Sequence, residues 1–198
     1  MPYDLSIMGW FSENQLKTIE QIASTVPENG VVVEIGSMYG RSTVCWAKSC
    51  PKTATIYAID FFAELKLDNH PFNEDVVLMN NFPKSGVNYP QNEIFNKNIS
   101  GFSNIKKIKG HSPYNIEYPG DQIDVLFLDA AHHNPNDWDN IVFFSKFLKV
   151  GGIICGHDYS KDFPDILKNV KKLEEYFNVA ATIKDQVWNI KVTKNLEL

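Results

Sequence analysis

Apolar positions along this chain follow two different periods, and the change from one to the other marks out its elements. Leu16, Ile19, Ile22 and Ala23 recur at helical spacing behind Ser12 and Gln15, a pair placed to cap a helix start. Pro27-Glu28-Asn29-Gly30 ends that stripe, and Val31 to Ile35 then reads as an unbroken apolar strand. A helix is predicted from Ser42 to about Ser49, a strand from Thr55 to Asp60, a strand from Ile105 to Ile108, and a buried strand from Asp124 to Asp129. Further on, Asn136 to Leu148 is amphipathic, Gly151-Gly152 opens a strand from Ile153 to Gly156, and Pro164 to Phe177 is helical. Val179 to Ile183 and Gln186 to Val192 form a strand pair around Lys184-Asp185. Strands alternating with helices predict an α/β fold.

The expected architecture is a Rossmann-like, doubly wound, mostly parallel seven-stranded sheet with an antiparallel terminal strand, in one domain spanning 1–198. Residues 61–100 are the least regular part. They carry scattered aromatics (Phe62, Phe72, Phe82, Tyr89, Phe95), His70-Pro71 and Pro83, with weak helices predicted at Asn73 to Asn80 and Gln91 to Asn98. A long aromatic-rich excursion after the second strand reads as a lid or substrate loop.

Composition narrows the classes. The chain has 198 residues, 43% apolar and 22% charged, with a net charge of −5. That balance argues against a nucleic-acid partner, which selects for clustered Lys and Arg. Cys45, Cys50 and Cys155 are odd in number and lack metal-ligand spacing, so a reducing, cytoplasmic setting is expected. No apolar run has membrane-spanning length, and no membrane partner is expected. A homo-oligomer stays open.

The candidate chemistry begins at residues 31–43, Val-Val-Val-Glu-Ile-Gly-Ser-Met-Tyr-Gly-Arg-Ser-Thr, followed by Asp60 at the tip of the next strand. A glycine turn between strand and helix, with a carboxylate ending the second strand, suits a nucleoside whose ribose hydroxyls that carboxylate accepts. The spacing is Gly36-x-x-x-Gly40 rather than G-x-G-x-x-G, and Glu34 would repel a pyrophosphate. Both points disfavour a nicotinamide dinucleotide and favour a donor-rich or cationic ligand.

These blocks resemble class I S-adenosylmethionine-dependent methyltransferases, more narrowly the small sugar and macrolide O-methyltransferases and relatives of the catechol O-methyltransferase type. The resemblance continues through Asn104 to Ser112, Ile123 to His132 and Leu148 to Tyr159. It implies that Glu34, Gly36, Ser37, Gly40, Arg41 and Ser42 line the methionine end of S-adenosylmethionine. By the same likeness Asp60 holds the ribose, and Phe61, His111 and Ser112 surround the adenine. Phe61 also reads as plain core packing, and His111 as a turn residue.

Asp129 ends one strand and His157-Asp158 another, so parallel neighbours would bring their tips together with His132 and His133 at the ligand edge. Asp129 belongs to both the cofactor and the catalytic sets. In metal-dependent relatives these positions hold magnesium, so the resemblance implies Asp129, His157 and Asp158 as ligands, with His157 better suited to manganese or iron. Without a metal, His132 or His157 is the candidate base that removes a hydroxyl proton. Methyl transfer to a small-molecule or sugar acceptor is the expected reaction. An NAD-dependent oxidoreductase and a non-catalytic nucleoside-binding module of the same fold are the rival readings. Trp138, Tyr159 and Trp188 read as packing residues.

Overall fold

The structure is a computed structural model that describes residues 1–62, 64–65 and 89–196. The helix expected at Asn73 to Asn80, and His70, Phe72 and Phe82, lie outside the described residues. In chain order the elements are α1 (Glu13–Ala23), β1 (Val31–Ile35), α2 (Arg41–Ser49), β2 (Thr55–Asp60), β3 (Glu64–Leu65), β4 (Tyr89–Pro90) and α3 (Gln91–Ile99). Then come β5 (Ile105–Lys109), β6 (Ile123–Leu128), α4 (Asn136–Ser145), β7 (Leu148–Gly156), α5 (Pro164–Phe177), β8 (Thr182–Lys184) and β9 (Val187–Lys191).

The capping box predicted for α1 is present: Gln15 N donates to Ser12 Oγ, and Ser12 N donates to Gln15 Oε1. Two orphan amides at the helix start are thereby satisfied.

Seven strands make one sheet in the order β5-β2-β1-β6-β7-β9-β8. The first five run parallel, and β9 lies antiparallel between β7 and β8. The chain starts near the middle at β1 and winds outward in both directions. Period-two alternation then splits each strand between two apolar layers. Val31, Val33 and Ile35 pack with Ile141 and Phe144 of α4 and with Ile166, Val170 and Leu173 of α5. Val32, Val125, Phe127 and Cys155 pack on the other face against α1 and α2. Trp188 is buried in the first layer, and Trp138 and Tyr159 lean against it. A separate short ladder pairs β3 with β4 antiparallel.

Three boundaries differ from expectation by three residues or more: β8, expected from Val179, starts only at Thr182. The helix predicted to reach Leu148 stops at Ser145, and β7 starts at Leu148 rather than Ile153. Leu148 pairs with Ile123 before the register shifts towards Val125–Ile153, so the glycines lie inside an irregular strand. Gly152 sits there because a Cβ would press on the Asp124 carbonyl, 2.8 Å away.

Candidate active site

The tips of β1, β2, β6 and β7 meet at one edge of the sheet, and the loops there carry the expected residues. After Ile35 the chain turns sharply. Gly36 has φ +92°, and a Cβ on it would collide with the Asp129 carbonyl. Only glycine allows this close approach of the β1 and β6 loops. Gly40, at φ +91°, closes the loop by donating to Ser37 O at 2.7 Å and starts α2. Asp60 braces the same loop: Oδ2 accepts from Met38 N at 2.8 Å, and Oδ1 accepts from Phe62 N at 3.2 Å. Met38, Phe62 and Asp158 adopt positive φ, all at this edge. Bulky residues held in that region concentrate at ligand sites.

Glu34 shares a strand face with Val32 and so points under the first turn of α2. It is fully buried, and the Thr43 hydroxyl donates to its Oε2. Burial pushes its pKa up to about 7 against the opposing pull of the Thr43 and Ser42 hydroxyls. Glu34 Oε1 and Ser37 Oγ are buried without a hydrogen-bond partner. Buried polar atoms left unmatched in this way are costly, and a ligand bringing donors to them would relieve the cost.

Beside β2 and β5, Phe61 is 52% exposed, which rules out core packing. Its ring centroid lies 4.6 Å from that of His111, whose ring in turn meets Tyr114 edge-on at 4.9 Å. This forms an aromatic shelf suited to a flat base. Ser112, expected at the same place, turns inward: its buried hydroxyl donates to Asn140 Oδ1 at 2.5 Å. Ser42 stays beside Glu34. The Arg41 guanidinium, however, donates to the carbonyls of Ile7, Phe11 and Leu5 at 2.6, 2.8 and 3.2 Å.

The acid–imidazole cluster lies across the loop from Glu34. His132 Nε2 is 2.6 Å from Asp158 Oδ2, and its ring rests on Phe163 at 4.6 Å. His157 is 5% exposed, with Nδ1 3.4 Å from Asp129 Oδ1 and 3.2 Å from Asp158 Oδ1. Burial alone would depress the His157 pKa, but the two carboxylates overcome it and carry it up to about 10. His157 is thus set between two acids that favour its charged form, while its Nε2 is buried without a hydrogen-bond partner. The Asp129 pKa is raised, mainly by burial, whereas Asp158, held by both imidazoles, falls well below the usual carboxylate range despite its burial. The His132 pKa is raised, the Asp158 bond and nearby carboxylates outweighing desolvation.

Three side chains offer converging ligand atoms within 4.8 Å of one another: Asp129, His132 and Asp158. His157, expected among the metal ligands, lies behind them with its ring packed on Phe11 at 4.5 Å. His133 is exposed and outside the cluster.

One group was not foreseen from the sequence. Asn169 of α5 is 1% exposed and donates to Asn134 Oδ1 and Asp137 Oδ2, both at 2.8 Å. Asp165 Oδ2 accepts from Asn134 N at 2.9 Å. These bonds tie the loop bearing His132 to α5. The partners are more than 30 residues apart in sequence, so no local pattern announces them.

The fold is a doubly wound α/β sheet with its loops gathered at one edge. A family model described as "Methyltransferase domain" matches residues 33–159, and the chain belongs to that family. No curated protein sequence matches it. Among solved structures, the O-methyltransferase NovP is similar at 18% identity and TM-score 0.63, covering 91% of this chain and 80% of NovP. An rRNA methylase from Streptococcus thermophilus is similar at 15% identity and TM-score 0.61, covering 94% of this chain and all of that one. The precorrin-6y C5,15-methyltransferase of Geobacter metallireducens GS-15 follows at 13% identity and TM-score 0.56, over 89% and 78%. At these identities the likeness is one of fold.

Proposed function

We propose that the protein transfers a methyl group from S-adenosylmethionine to a hydroxyl oxygen of a small molecule or sugar. The observation that carries this reading is the position of His132, paired with Asp158, at the same strand edge as the Glu34–Gly40 loop. The residues fit the donor: an unmatched Glu34 Oε1 and Ser37 Oγ for its polar, cationic end, Asp60 for ribose, and the Phe61–His111 shelf for adenine. When bound, the donor supplies a methyl carbon already activated by its sulfonium.

The chain then has two tasks, to align an oxygen with that carbon and to remove its proton. His132 takes the proton, and Asp158 holds the imidazole and stabilises the imidazolium that results. His157, buried and with Nδ1 between both carboxylates, instead anchors Asp129 and Asp158.

A second reading is favoured by the convergence of Asp129, His132 and Asp158, which also fit a divalent cation such as magnesium, manganese or iron. Such an ion would orient two acceptor oxygens and acidify the attacking hydroxyl. With Cys45, Cys50 and Cys155 buried and free, a reducing cytoplasm suits the protein.

The test is transfer of labelled methyl from S-adenosylmethionine to a panel of catechols, sugars and ribosomal RNA, with and without EDTA. Label is expected on a small hydroxylated acceptor and not on RNA, since the net charge is −5. His132→Ala should lower turnover by about 100-fold or more. Loss of turnover in EDTA, restored by manganese, selects the metal reading. Equal turnover in wild type and His132→Ala refutes this role for His132.

A further inference from the structure

Arg41 directly follows the glycine loop and lines the same cavity as Gly36, Ser37 and Asp129, yet its guanidinium is taken up by backbone carbonyls. It is 2% exposed, and its guanidinium gathers three carbonyls from one stretch, Leu5, Ile7 and Phe11. Gly9 lets that stretch press down on it: a Cβ there would lie 3.1 Å from Arg41 Cβ. Ile7 and Phe11 are buried on either side, Ile7 against Tyr39 and Val44, Phe11 against Phe127 and the His157 ring. Residues Met8 to Phe11 therefore face Gly36, Ser37 and Asp129 across a cavity of about 20 Å³, room for roughly one water.

We propose that Arg41 is a positioning residue that latches Leu5–Phe11 as a strap over the site, so that release of the strap gates passage of the methyl donor. The inference rests on the methyltransferase reading for the identity of the ligand; the latch itself rests on the contacts above. Burial of the guanidinium, which pushes its pKa down to about 10, is offset by three carbonyl acceptors that a lysine cannot all reach.

The test uses the 198-residue chain as wild type, Arg41→Lys, Arg41→Ala and Gly9→Val. Chymotrypsin cleavage after Trp10 and Phe11 is followed by mass spectrometry. S-adenosylhomocysteine association and dissociation are followed by stopped flow. Arg41→Ala and Gly9→Val should be cleaved at those two bonds at least tenfold faster than wild type, with cleavage after Trp46 and Trp188 unchanged. Arg41→Lys should fall between. In the two loosened variants the ligand's on-rate and off-rate should both rise about tenfold.

Cleavage at the wild-type rate in Arg41→Ala overturns the latch, as does acceleration spread along the whole chain. A rise in off-rate alone makes the strap a ligand contact and overturns the gate. If wild type fails to bind S-adenosylhomocysteine, the methyltransferase reading fails, and the digestion still decides the latch.

Discussion

Glu34 carries a carboxylate that the fold burials of β1 and α2 hold near neutrality in its pKa, about 7 against an ordinary 4.5. Because the folded pKa is raised, the stability linked to this group is fully present below about pH 4.5 and is lost as pH rises through 7. Glu34→Gln removes that dependence. Between pH 5 and pH 8, wild type should therefore lose more thermal stability than the variant, by of order 3 kcal/mol at most. Affinity for S-adenosylmethionine should move the opposite way: it should rise through pH 7 in wild type, as the carboxylate ionises, and stay flat in Glu34→Gln. Calorimetry and thermal melts at the two pH values read both effects.

The presence of Glu34, Asp60 and Asp129 at strand tips was legible in the sequence, because an apolar run ending in a carboxylate marks a C-terminal strand edge. The different surroundings of His132 and His157 were not. Spacing cannot tell which imidazole is enclosed by two carboxylates and which lies at the surface of the cluster.

At the scale of elements, the loop from β6 to α4 is held by a polar network rather than by apolar contact. Asn169 lies under Asp137, which is 7% exposed and has its pKa raised by burial against the Asn169 hydrogen bond. Asn169→Ala leaves that carboxyl and the Asn134 amide without their partner. It should lower unfolding free energy by about 2–3 kcal/mol in urea titrations. An unchanged midpoint would show that the loop is fixed by other contacts.

Helices α1 and α5 followed from their stripes and start signals. The start of β7 did not, because Lys149 and Gly151 interrupt the alternation that would have marked it. The contacts of Arg41 are hidden for a similar reason. Its place in the motif says nothing of the seven-residue stretch upstream that its side chain holds.

For the molecule as a whole, the alternation of strands and helices predicts a mostly parallel sheet, and that sheet brings four loops to one edge. The acceptor is a different matter. Its contacts depend on side-chain directions at that edge, which no periodicity encodes.

Binding of the donor is the decisive property. Calorimetric titration of the purified protein with S-adenosylhomocysteine should give one site per chain with micromolar affinity, weakened at least tenfold by replacing Asp60 with Ala. No heat of binding at millimolar S-adenosylhomocysteine, together with saturable binding of NADH, would contradict it.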